Sequence, residues 1–134
     1  QARRENFNKL HDIFKPYEEY FHLPVATDKA DPCWFGFLLV TRPNAPFEKQ
    51  DFVNHMEGAK IQTRSYFTGN ALYHPAYQPL ASEYGDLKKK FPNAHLVTEG
   101  SVFLGTFIGL TDEKINYIKQ TVDAFFENIK WKYY

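Results

Sequence analysis

The sequence contains a single cysteine, Cys33, and carries no net charge, since 16 lysines and arginines balance 16 aspartates and glutamates. One cysteine cannot form an internal disulfide, so the chain lacks the framework of a small secreted domain. The balanced charge provides no field that would attract nucleic acid or an anionic membrane. No apolar run approaches the roughly 20 residues that span a bilayer, and the mixed-charge first residues show no signal-peptide pattern. We therefore predict a cytoplasmic protein that binds neither nucleic acid nor membrane.

Metal and nucleophile signatures are also missing. The five histidines are scattered, and no pair has the spacing of metal ligands on one helix face. Glycine-rich phosphate loops, nucleophile elbows and zinc-protease helices do not occur. We therefore expect no structural zinc or iron–sulfur site in this chain, and a small hydrolase has no nucleophile and base to support it.

Aromatic residues are plentiful, at 18% of the chain with 13 phenylalanines and 9 tyrosines. Two explanations remain open at this point. The rings fill a phenylalanine-rich core, or some of them form a surface for a neighbouring domain or subunit.

Hydrophobic periodicity predicts the order helix, strand, helix, strand, helix, strand, helix. The predicted helices cover residues 3–21 with an interruption at Pro16, 48–57 with Gly58 as the stop, 92–99, and the segment that Thr111 caps. The predicted strands cover residues 34–41, 61–67 and 102–108. Residues 68–90 are predicted to be irregular, and so long a loop is usually functional. This order predicts an α+β domain with a small, mainly antiparallel three-stranded sheet and helices on one face.

Four residues in and after the second predicted strand are candidates for binding. Arg64 is the only charge in that strand, and its planar guanidinium suits phosphate or carboxylate; the alternative is a surface ion pair with a carboxylate such as Glu99. Tyr66 lies beside it. Asn70 offers a donor and an acceptor in a turn, and His74 precedes a proline that keeps it extended. The alternatives for the last two are a plain turn residue and a solvated histidine.

Several separated segments carry a resemblance to a known family. They are Trp34-Phe35-Gly36-Phe37, Ile61-Gln62-Thr63-Arg64, Phe67-Thr68-Gly69-Asn70, Phe91-Pro92-Asn93-Ala94 and Gly109-Leu110-Thr111. In this order they resemble the small C-terminal domain of the sugar enzymes named after DegT, DnrJ, EryC and StrS. The Gly-Asn pair is most similar to the branch that contains the nucleotide-sugar 3-dehydratases of lipopolysaccharide biosynthesis.

The resemblance implies that residues 1–134 are a single C-terminal domain, with the fold of the small domain of aspartate aminotransferase, in a larger enzyme. It implies pyridoxal or pyridoxamine phosphate, and in some members an iron–sulfur centre, bound by a large domain that this chain lacks. The partners it implies are a nucleotide-diphosphate sugar, the large domain and a homodimer partner. Arg64, Tyr66, Asn70 and His74 would face the sugar or its phosphates. An aminotransferase of the same family, and a stand-alone protein-binding module, are the alternative functions.

Overall fold

The computed structural model describes the backbone of residues 1–133 and the side chains of residues 1–129. Helix α1 covers Ala2–Phe14. It passes into a short 3-10 turn, Lys15–Tyr17, that contains Pro16, so the predicted interruption at this proline is confirmed. None of the described helices is both long and apolar enough to cross a bilayer.

The sheet has three antiparallel strands, as predicted. Strand β1 is Phe21–His22, β2 is Gly36–Thr41 and β3 is Ser101–Gly105, in the spatial order β1-β2-β3. The central strand, β2, is the branched and aromatic run that the sequence predicts. In its register with β3, Phe37 lies opposite Leu104 and Leu39 opposite Val102.

The prediction of a strand over residues 61–67 is wrong, because this segment forms only one isolated bridge. Arg64 and Phe103 exchange two backbone hydrogen bonds, of 3.1 and 2.8 Å. The backbone N–H groups on either side donate to side chains instead: that of Tyr66 to the Ser101 hydroxyl at 3.1 Å, and that of Thr63 to a carboxylate. The third strand of the sheet is instead β1, which pairs with β2; its Phe21 lies at the end of the helix predicted over residues 3–21, so that helix prediction is wrong at this end.

The longer helices lie close to their predicted bounds. Helix α2 covers Lys49–Gly58, α5 covers Pro92–Gly100 and α6 covers Asp112–Tyr133. The hydroxyl of Thr111 accepts from the Lys114 N–H at 3.4 Å, which confirms the predicted cap of α6. Between Asn70 and Phe91 the chain forms only short turns of helix. These are α3 (Gln78–Ala81), α4 (Leu87–Lys90) and the 3-10 turns Ala71–Tyr73, Pro75–Tyr77 and Ser82–Tyr84.

The core lies on the sheet face that α1, α2 and α6 cover. Phe37, Leu39, Val102 and Leu104 point to this side, since they alternate along their strands. Phe14 is fully buried there, with ring-centroid distances of 5.6 to 6.1 Å to the rings of the neighbouring elements. Eight of the 13 phenylalanines are buried, which confirms the phenylalanine-rich core.

The opposite face of the sheet, called the open face below, carries Leu38 and Phe103. A groove of about 280 Å³ runs across it. Its lining residues are Pro24, Trp34, Phe35, Gly36, Leu38, Tyr66, Phe67 and Phe103. Phe35 is 66% exposed and Phe67 is 76% exposed. The second explanation for the aromatic content, a surface for a neighbour, therefore remains a prediction with a defined location.

Candidate functional site

The segment that carries Arg64 begins with a tight turn at the end of α2. The Ile61 N–H donates to the Met56 carbonyl at 2.9 Å, and the Lys60 N–H donates to the Glu57 carbonyl at 2.9 Å. This pair of bonds is a Schellman motif, in which the residue after the helix adopts a left-handed conformation. That residue is Lys60, with φ of 62°, while the predicted stop, Gly58, is the last residue of the helix.

A carboxylate on the last turn of α2 then holds Thr63. One oxygen of Glu57 accepts from the Thr63 N–H at 2.5 Å and from the Thr63 hydroxyl at 2.8 Å. These two donors lower the pKa of Glu57, and the backbone N–H has the larger effect. The side chain is therefore ionised at neutral pH and acts as an acceptor only.

Arg64 follows directly and is exposed. Among residues 1–129 its guanidinium forms no ion pair and no hydrogen bond, and the alternative pairing with Glu99 is not formed. The arginine lines a cavity of about 570 Å³ between the end of α2, the edge of β3 and the first turns of α6. A volume of this size accommodates a small organic ligand.

This cavity, called the basic cavity below, is lined by apolar side chains and by three exposed cationic ones. Its apolar lining residues include Ile61, Phe103, Leu104, Phe107, Leu110 and Ile118. Its charged lining residues are Lys60, Arg64 and Lys114, and no aspartate or glutamate among residues 1–129 lines it. Lys114 Nζ donates to the Gly109 carbonyl at 2.8 Å and lies 5.8 Å from the Phe107 ring centre. Three cations without a carboxylate favour an anionic ligand.

Tyr66 lies on the open face and does not line the basic cavity. Its ring is 4.8 Å from that of Phe67 and 6.0 Å from that of Phe103, centre to centre. Tyr66 is half-buried, and its backbone is fixed by the Ser101 hydroxyl. The structure thus separates the tyrosine from the arginine two residues before it.

Asn70 is buried in the turn that follows. Its Oδ1 accepts from the Leu72 N–H at 3.1 Å, and its own N–H donates to the Thr98 hydroxyl at 2.7 Å. The Nδ2 group has no partner among the described residues. The preceding Gly69 has φ of 59°, and a Cβ there would lie 2.4 Å from Thr98 Oγ1. Only glycine fits this position, for both reasons.

His74 is exposed, and its Nε2 donates to the Thr68 carbonyl at 3.1 Å. Its ψ of 143° confirms the extended conformation predicted from the following proline. The four predicted residues therefore do not share one cavity. Arg64 lines the basic cavity, Tyr66 lies on the open face, and Asn70 and His74 stabilise the loop after it. Their contact with substrate stays a prediction.

Sequence reasoning missed Lys60, Lys114 and the Glu57–Thr63 pair. A lysine next to a helix end and a lysine in the first turn of a helix are typical of solvated surfaces, so neither gives a signal alone. Glu57 stands six residues before Thr63, across a helix end whose geometry decides whether the two meet. Among the described residues, no group of three histidines, cysteines, aspartates or glutamates could hold a metal ion.

A sequence model of the DegT/DnrJ/EryC1/StrS aminotransferase family matches residues 1–123. The dTDP-4-dehydro-2,6-dideoxy-D-glucose 3-dehydratase of Saccharopolyspora spinosa is 33% identical over 92% of this chain and 26% of its own length. The lipopolysaccharide biosynthesis protein RfbH of Salmonella typhimurium is 29% identical over 94% of this chain and 28% of its own length. This chain thus spans little more than a quarter of these relatives.

Two solved structures have the same fold. An aminotransferase from Psychrobacter cryohalolentis aligns with 96% of this chain and 34% of its own, with a TM-score of 0.77 and 15% identity. The Escherichia coli GDP-4-keto-6-deoxy-D-mannose-3-dehydratase with bound hydrated PLP aligns with 90% of this chain and 30% of its own, with a TM-score of 0.64 and 24% identity. At these identities the similarity shows the fold alone.

Proposed function

Because this chain belongs to the DegT/DnrJ/EryC1/StrS aminotransferase family, we propose that it is the C-terminal small domain of a nucleotide-sugar 3-dehydratase that uses pyridoxal or pyridoxamine phosphate. The two sequence relatives support this choice, since one is named a dehydratase of a dTDP-linked sugar and the other a lipopolysaccharide biosynthesis protein. In this proposal the domain closes one side of the substrate cleft and serves deoxysugar or O-antigen synthesis.

The guanidinium of Arg64, which has no partner among residues 1–129 and lines the basic cavity, is the observation that carries the proposal. A nucleotide-diphosphate sugar is an anion with a polar, compact sugar. Arg64 can bind a diphosphate oxygen pair with its fork of donors, and Lys60 and Lys114 add charge at the same rim. Binding the remote diphosphate holds the sugar in position for chemistry elsewhere in the cleft.

The described residues do not themselves form a pyridoxal phosphate site. In many such sites an aspartate pairs with the pyridine nitrogen, and no aspartate or glutamate among the described residues lines the basic cavity. The proposal therefore assigns the cofactor, and any iron–sulfur centre, to the large domain outside this chain. This chain contributes substrate binding and the exclusion of water.

The open face is where we place that large domain. Its exposed Phe35 and Phe67 flank an apolar groove, and exposed aromatic surface of this kind is typical of interfaces. The relatives are long enough to supply the partner, because this chain matches only 26% and 28% of them. A homodimer through the large domain completes the proposed assembly.

A nucleotide-sugar aminotransferase is the second candidate. The Psychrobacter aminotransferase has a TM-score of 0.77 against 0.64 for the Escherichia coli dehydratase, so the backbone of this chain is at least as similar to that class. The sequence identities favour the dehydratase, and the two activities are separated by their products.

The test is the reaction of the full-length protein that contains this chain. The purified protein is expected to show a cofactor absorbance band between about 300 and 500 nm, and to remove the C3 hydroxyl of a nucleotide-linked 4-keto-6-deoxy sugar. An aminated sugar formed with an amino donor would establish the aminotransferase instead. Absence of the band after cofactor is added would contradict both enzymes and favour the protein-binding module.

A further inference from the structure

Glu57 and Thr63 form a contact that the proposed function does not use. Glu57 is exposed on the last turn of α2, yet one of its oxygens accepts two hydrogen bonds from Thr63, at 2.5 and 2.8 Å. The residue after Thr63 is Arg64. A surface carboxylate thus holds both the backbone and the side chain of the residue next to the proposed anion-binding arginine.

We propose that Glu57 is a positioning residue, which holds Arg64 over the basic cavity through its two hydrogen bonds to Thr63. The inference rests on the proposed function, in which Arg64 binds the substrate anion. Glu57 itself touches no substrate in this proposal.

Arg64 is fixed from two sides. On its own residue, backbone hydrogen bonds of 3.1 and 2.8 Å join it to Phe103. On the preceding side, Glu57 holds Thr63. Without Glu57, residues 61–63 would keep the packing of Ile61 on the core and the turn at Lys60, and the left-handed conformation of that turn is unfavourable for a lysine. The arginine would then sample more positions, and binding would have to pay the entropy of ordering it.

Geometry rather than charge is the expected basis of the effect. Glu57 and Arg64 form no ion pair, so the carboxylate does not act as a counter-ion to the guanidinium. Glutamine keeps a side-chain oxygen of the same reach, which can accept from the same N–H and hydroxyl. Glu57→Gln should therefore behave like the parent protein, and Glu57→Ala should not.

The experiment compares Glu57→Ala, Glu57→Gln, Thr63→Val, Arg64→Ala and the double variant Glu57→Ala/Arg64→Ala in the full-length protein. Glu99→Ala is the matched control, because it removes an exposed carboxylate on α5 that makes no hydrogen bond or ion pair with the described residues. The measurements are kcat, KM for the nucleotide-sugar substrate, and amide hydrogen exchange across residues 61–66.

We expect Glu57→Ala to raise KM about five- to tenfold with kcat within about twofold, because the weakened Arg64 contact contributes equally to the ground state and the transition state. Thr63→Val should raise KM less, since it removes one of the two bonds. Glu57→Gln and Glu99→Ala should keep the parent KM. In the Arg64→Ala background the Glu57→Ala change should add nothing, because both act through one group. Hydrogen exchange of the Thr63 amide should be faster than in the parent protein when Glu57 is replaced by alanine, and unchanged when it is replaced by glutamine.

Different failures have different meanings. If Arg64→Ala raises KM but Glu57→Ala does not, or if the two effects are additive, the positioning role is overturned and the proposed function stands. If Glu57→Gln is as impaired as Glu57→Ala, the charge matters and the geometric proposal is wrong. If Arg64→Ala leaves KM unchanged, the anion-binding function of Arg64 is itself overturned and the positioning role falls with it.

Discussion

The core side of the sheet and the segment from residue 59 to residue 74 are stabilised in different ways. On the core side, α1, α2 and α6 bury apolar side chains against Phe37 and Leu39, and hydrophobic burial of this kind is non-directional and large. In the segment, residues that are mostly exposed or half-buried are held by individual hydrogen bonds, such as those from Thr63 to Glu57 and from the buried Asn70 to Thr98. The candidate binding groups lie in the segment, where specific bonds can fix a polar side chain that remains accessible.

The largest stability loss should follow a change in the core. Phe14→Ala removes a fully buried ring that contacts Phe21, Phe37 and Phe52, and we expect it to reduce the free energy of unfolding by about 3–5 kcal/mol. Urea unfolding of the chain measures this. Phe67→Ala, at a site 76% exposed, is the control and should cost less than about 1 kcal/mol. Equal losses in the two variants would contradict the location of the core.

Gly69→Ala should cause the next largest loss in the free energy of unfolding. Such a loss would show that the segment also contains a position that does not tolerate a side chain. The substitution adds a left-handed alanine and a clash with Thr98 Oγ1 and Cα, at 2.4 and 2.9 Å from the new Cβ. Together we expect a loss of about 2–4 kcal/mol. Gly58→Ala is the opposite control: the added Cβ meets nothing within 4 Å in a helix, and should stabilise by about 0.5–1 kcal/mol.

A smaller, pH-dependent effect on stability is expected at Tyr17, whose hydroxyl forms a hydrogen bond and whose ring packs on the core. Tyr17 donates to Asp123 at 2.8 Å and stacks on Phe126. Burial, and then the bond and charge of Asp123, raise the pKa of Tyr17 to about 12. A raised pKa stabilises the protonated folded state, so this stabilisation is present below about pH 10 and is lost as the pH rises toward 12.

Tyr17→Phe tests that assignment. It keeps the ring and removes the hydroxyl, and we expect a loss of about 1 kcal/mol at neutral pH. The loss should disappear as the pH approaches 12, where the parent protein has lost the same stabilisation. A difference between the two proteins that stays constant from pH 7 to the alkaline limit would exclude titration of Tyr17 as its cause.

The same comparison explains what the sequence could predict. Helix α2, strand β2 and the cap at Thr111 follow from local patterns, and the structure confirms them. The strand expected at 61–67 failed because its backbone donors are taken by the side chains of Glu57 and Ser101, which stand 6 and 35 residues away. A local alternation cannot reveal which distant side chain will compete for an N–H group.

The site was predictable to the same extent. Arg64 is a candidate because it is the only charge in residues 61–67, and its contact with substrate stays a prediction. Lys60 and Lys114 could not be identified, because they come together only when the end of α2 and the start of α6 meet beside β3. Asn70 is a candidate because its amide can both donate and accept, and its acceptor, Oδ1, is used within the turn itself.

Arg64→Ala should change stability least of these variants, and yet it should change function strongly. The arginine is exposed and forms no side-chain hydrogen bond or ion pair among the described residues, so the free energy of unfolding should change by less than about 0.5 kcal/mol. In the full-length protein, KM for the nucleotide sugar should rise more than tenfold while kcat changes little, because a guanidinium–phosphate contact contributes to ground and transition states alike. Arg64→Lys should recover only part of the loss, since lysine keeps the charge but not the planar pair of donors. Full recovery by lysine would mean that the basic cavity attracts its ligand by charge alone.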